Sequence, residues 1–117
     1  LEIFTGRKTR CRDNHCARTA IPTVLNEAAD AGLAPVASIG SWELLDRAVS
    51  RGSSSVLIAD GATRWTGPRP IVDAEFEKLV TAGEQADPYP GGGKYRPDEH
   101  TAAVALAYFK SAAPPVL

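Results

Sequence analysis

Ser55-Val56-Leu57-Ile58-Ala59-Asp60-Gly61 is the strongest strand signal in the chain. Its nearly continuous apolar run suits a strand at the centre of a sheet, buried on both faces. Asp60-Gly61 is a hairpin-turn dipeptide from which residues 62–66 return antiparallel. Upstream, Pro35-Val36-Ala37-Ser38-Ile39 reads as a second strand. Between the two, Ser41 caps a helix with Glu43 close behind, and Trp42, Leu45, Ala48 and Val49 supply its apolar face up to Arg51-Gly52. Earlier still, Thr19 is the N-cap of a helix that carries Ile21, Leu25, Ala28 and Ala29 on one face and closes at Gly32. Pro22 is tolerated there because a first-turn N–H breaks no internal bond. Leu1-Glu2-Ile3-Phe4-Thr5 alternates apolar and polar residues before Gly6, which predicts a first strand.

Downstream of the central strand, Gly67-Pro68-Arg69-Pro70 turns the chain into a helix over residues 72–82, with Phe76, Leu79 and Val80 inward. The proline- and glycine-rich residues 86–97 predict a loop. Gly91-Gly92-Gly93-Lys94 within it lacks the preceding strand and the Ser or Thr of a phosphate loop and reads as a linker. Asp98 then caps a final helix running to about Ser111, with Val104, Ala105, Tyr108 and Phe109 as its packing face, and Pro114-Pro115 stops it. The expected order is β-α-β-α-β-β-α plus a C-terminal helix.

A chain of 117 residues supports a single core. A formal net charge of -1 offers no global attraction to nucleic acid or an anionic membrane, so neither is an expected partner. No apolar run reaches the length of a membrane helix, no secretory leader pattern opens the sequence, and two cysteines do not make a disulfide-rich secreted scaffold; a cytoplasmic protein is expected.

Chemistry concentrates in Cys11-Arg12-Asp13-Asn14-His15-Cys16, which holds both cysteines and lies between the expected first strand and first helix. A helix N-terminus stabilises a thiolate over a thiol, and Arg7, Lys8, Arg10, Arg12 and Arg18 act in the same direction. His15 adds a positive charge or relays a proton. The candidate catalytic residues are therefore Cys11, Cys16 and His15, with the arginines either a solvated face or a site for an anionic thiol substrate. Cys11, His15 and Cys16 are also three soft or borderline metal ligands, with a fourth to be found.

A cysteine pair between the first strand and first helix of this element order resembles the thioredoxin-like superfamily. Cys16-Ala17-Arg18-Thr19-Ala20-Ile21-Pro22, followed by an apolar and acidic amphipathic run, is similar to the family's second cysteine and helix proline, and residues 55–67 are similar to its third strand, turn and fourth strand. The resemblance implies a three-layer α/β/α sandwich over residues 1–82, with residues 83–117 forming a linker and a helix packed on the domain or on a partner. It implies a thiol–disulfide redox protein acting on protein or small-molecule thiols and disulfides, with Arg10, Arg12, Arg18 and Ser54 binding substrate. The cysteines are spaced C-x4-C, and Ser53, Ser54 and Ser55 stand where the family has its cis-proline. That departure leaves two alternatives open: a non-catalytic protein holding a soft metal ion or iron–sulfur cluster, and a scaffold with incidental cysteines. The C-terminal helix also offers a homodimer contact.

Overall fold

The computed structural model describes residues 2–33, 35–52, 55–61, 65–67, 74–86 and 94–112. In chain order the elements are α1 (Glu2–Thr5), α2 (Val24–Asp30), β1 (Val36–Gly40), α3 (Leu45–Val49), β2 (Val56–Asp60), α4 (Ala74–Gln85) and α5 (Asp98–Ala112). β1 and β2 run parallel in the register Val36↔Val56 through Gly40↔Asp60. Every residue of β2 is buried, as its unbroken apolar run requires. Leu57 and Ala59 point to one face and pack with Phe76 and Val80 of α4 and Val104 and Tyr108 of α5. Val56 and Ile58 point to the other, with Val36, Ala28 of α2, Val49 of α3 and Phe4 of α1. Helices thus cover both faces of the sheet. The C-terminal helix packs on its own domain through Val104 and Tyr108, whereas Phe109 is 52% exposed.

Among the described residues the arrangement is α/β but not the full β-α-β-α-β-β-α order of a thioredoxin. Residues 2–5 form a helical turn, not a strand, closed by Gly6 N–H donating to Glu2 O at 2.8 Å. Five alternating residues fit either state, and packing of Phe4 against the buried cluster of Ala28, Val36, Val49, Val56 and Ile58 decides between them. The expected hairpin after β2 reduces, among the described residues, to one antiparallel bridge in which Ile58 and Thr66 exchange both hydrogen bonds at 2.8 Å.

α2 starts later than the sequence suggests. Its cap is Thr23, not Thr19, because the residue before a proline avoids the helical region and Ile21 precedes Pro22. Thr23 and Asn26 form a reciprocal capping box. Both are buried: Thr23 Oγ1 donates to Val49 O at 2.6 Å and Asn26 Nδ2 to Ser50 Oγ at 3.3 Å, which ties α2 to the end of α3. Ser41 is likewise not a helix cap. α3 begins at Leu45, and the Ser41 hydroxyl lies 2.5 Å from Asp98 Oδ1 and 2.8 Å from Thr101 Oγ1 at the start of α5.

Candidate functional site

Cys11 and Cys16 are joined by a disulfide with a Cα–Cα separation of 5.7 Å, inside the range the bond allows. Both are half-buried in an irregular stretch. Cys16 precedes α2 by eight residues and lies outside the first turn of that helix. What shapes the surroundings is α3. Thr19 N–H donates to Arg47 O at 2.9 Å, Arg47 Nη1 to Cys16 O at 3.5 Å, and Arg18 grips Asp46 through two bonds of 2.6 and 2.5 Å. These contacts press the cysteine loop onto α3 and leave a mostly apolar groove of about 200 Å³, lined by the two cysteines with Phe4, Trp42, Leu44, Leu45 and Arg47 among others. On the sulfur side, Asp13 O lies 3.4 Å from Cys11 Sγ.

The other residues singled out in the sequence are not gathered at the sulfurs. The His15 side chain is 95% exposed and pairs with Asp13 Oδ1 at 3.6 Å. Arg10 and Arg12 are exposed, and Arg18 is committed to Asp46, whose hydrogen bonds raise the arginine pKa further. Ser54 and Gly91-Gly92-Gly93 lie outside the described residues. The two sulfurs are bonded to each other, and among the described residues no trio of His, Cys, Asp and Glu is placed to hold a metal ion.

A second polar cluster, which sequence reasoning missed, sits at the C-terminal ends of the strands. Asp60 closes β2 and is 2% exposed, with Ser38 Oγ 3.0 Å from each carboxylate oxygen. Arg96 is 1% exposed; its Nη2 donates to Gly40 O at 2.9 Å and to Ala59 O, and its Nε to Thr101 Oγ1 at 3.0 Å. One guanidinium thereby caps carbonyls of both strands and fastens the start of α5 to them. Neither Arg96 Nη1 nor Glu84 Oε1, both buried, has a hydrogen-bond partner among the described residues. The chain around Arg96 lies across the strand ends: Arg96 N–H donates to Ser41 O at 2.8 Å, Trp42 bridges to Tyr95, and their rings stack with centroids 6.0 Å apart. Gly61, at φ 70°, leaves room for this strap, since a Cβ there would stand 2.5 Å from Lys94 O. Gly83 does the same for Arg96, whose Cδ would be 2.5 Å from a Cβ on α4. An acid ending an apolar strand and a glycine inside a helix were the available signals.

Burial pushes the Asp60 carboxyl from the ordinary 3.8 up to about 6, against the hydrogen bond from Ser38, with Asp46 adding to the rise and Arg96 and the Gly40 N–H opposing it. A carboxyl that holds its proton more tightly in the folded chain contributes stability that is complete below pH ~4 and lost as pH rises through about 6. The shift corresponds to about 3 kcal/mol. Asp60→Asn is therefore expected to melt higher than the parent at pH 8 and close to it at pH 4, measured by circular dichroism. A variant that melts lower at both pH values would show that ionised Asp60 is a net stabiliser.

Comparison of the chain with family models, with curated proteins and with solved structures returns no match. Among the described residues no helix is long and apolar enough to cross a membrane.

Proposed function

We propose that the chain is a thiol–disulfide redox protein whose working group is the Cys11–Cys16 pair. The observation that carries this reading is a formed disulfide between half-buried cysteines, opening onto an apolar groove. A substrate thiolate attacks one sulfur, the S–S bond breaks, and a mixed disulfide forms with release of the other cysteine as thiolate. A second substrate thiol then displaces the mixed disulfide. The substrate leaves as a disulfide, the protein as a dithiol, and two electrons have passed to the protein. In the reverse direction the dithiol reduces a substrate disulfide.

The surroundings favour Cys16 as the attacking thiolate. Cys11 Sγ lies 3.4 Å from the Asp13 carbonyl, so a Cys11 thiol held there on reduction would donate to it, which favours its protonated form. Arg47, fixed to the Cys16 carbonyl, brings positive charge to that side of the groove. The groove itself receives an apolar side chain beside the substrate sulfur.

Two measurements test this. Equilibration in thiol–disulfide buffers followed by intact-mass analysis is expected to give a midpoint more oxidising than about -300 mV, the region of labile and catalytic disulfides. A midpoint well below that value makes the bond a structural staple of the loop. With glutathione disulfide, Cys11→Ser is expected to form a mixed disulfide at Cys16 faster than Cys16→Ser forms one at Cys11; the opposite order would reassign the nucleophile.

A further inference from the structure

α5 carries apolar residues on the side turned away from its own domain. Val104 and Tyr108 are buried against the sheet, yet Leu106 is 60% and Phe109 52% exposed. Glu99, Ala102 and Lys110 are exposed with them, and residues 99, 102, 106 and 109/110 follow the spacing of a single helical face. Beside this face a groove of about 410 Å³ opens between α4 and α5, with Leu79, Ala103 and Ala107 in its floor and Glu75 and Lys110 at its edge.

We infer that this face is a homodimer contact, in which α5 packs antiparallel against α5 of a second copy about a two-fold axis level with Val104 and Ala105. The face is complementary to itself in that orientation and in no parallel one. Glu99, whose side chain is 84% exposed, stands opposite Lys110 of the second copy, and the pair occurs twice. Leu106 stands over the small Ala103 of the other helix, a large side chain meeting a small one, while Phe109 comes level with its His100. A parallel pairing would set Glu99 against Glu99 and Phe109 against Phe109. The groove beside Ala103 and Ala107 receives the tip of the incoming Leu106. A contact of about one helix length lies at the small end of specific interfaces, which makes the dimer a reversible one.

Sedimentation equilibrium across about a hundredfold range of protein concentration reads the association directly. Monomer and dimer are expected in concentration-dependent exchange. Leu106→Glu should abolish the dimer while leaving the melting temperature of the monomer unchanged. Glu99→Lys and Lys110→Glu should each weaken association about tenfold, and the two together should restore it. A monomer at every concentration overturns the proposal. So does a dimer indifferent to both charge reversals, or one that the double variant fails to rescue, because the antiparallel pairing would then be wrong.

Discussion

Replacing Arg96 by Met is expected to cost about 3–5 kcal/mol at pH 7, the range for removing the charged donor of several buried hydrogen bonds. The side chain is 1% exposed, so what it contacts has no ready replacement. Removing it strips the caps from Gly40 O and Ala59 O, frees Thr101, and leaves ionised Asp60 without the nearby positive charge that opposes the rise in its pKa. The loss should be smaller at pH 4, where Asp60 carries its proton and only the hydrogen bonds are missing. Arg96→Lys should recover little, because an ammonium does not reproduce a planar fork reaching two strand carbonyls and a threonine at once. Urea unfolding at the two pH values checks this: equal losses at both would remove Asp60 from the account, and a loss under ~1 kcal/mol would mean the strap is held by other contacts.

Phe76→Ala is the other substitution with a large expected effect, about 3–5 kcal/mol. Phe76 is fully buried where α4, α5 and the sheet meet, its ring tilted 53° to that of Tyr108 at a centroid distance of 6.4 Å. The cavity left by its ring would border the two helices and Leu57 and Ala59. Small domains have a total stability of about 5–15 kcal/mol, so a loss of this size leaves a marginal fold. Burial also holds the Tyr108 phenol above its ordinary pKa of 10.0. The variant should show both a lower urea midpoint and a tyrosine that ionises nearer 10.0 in ultraviolet titration. If the midpoint falls but the titration does not move, α5 stays docked without Phe76 and the cost lies within α4 alone.

Local chemistry determined a good part of this molecule. Val56, Leu57, Ile58 and Ala59 are apolar without interruption, and any fold must bury them on both sides; β2 does so. The apolar spacing of Phe76, Leu79 and Val80 fixed which face of α4 turns inward; on α5 Val104 and Tyr108 do so, whereas Phe109, expected on the same face, is exposed. The spacing of Cys11 and Cys16 permitted a bond that the structure forms. These readings succeed because a side-chain period of two or 3.6 residues is set by nearest neighbours along the chain. Tertiary structure alone decided the rest. Residues 2–5 alternate like a strand but form a helical turn, because Phe4 packs against a cluster drawn from α2, β1, α3 and β2. Ser41 has the form of a helix cap but answers to Asp98 and Thr101, which are distant in sequence. Arg96 reaches the ends of both strands only because parallel pairing of β1 with β2 brings Gly40 and Ala59 together beneath one guanidinium. Burying a charge is a commitment that its partners must match, and here those partners come from segments that the chain brings together only on folding.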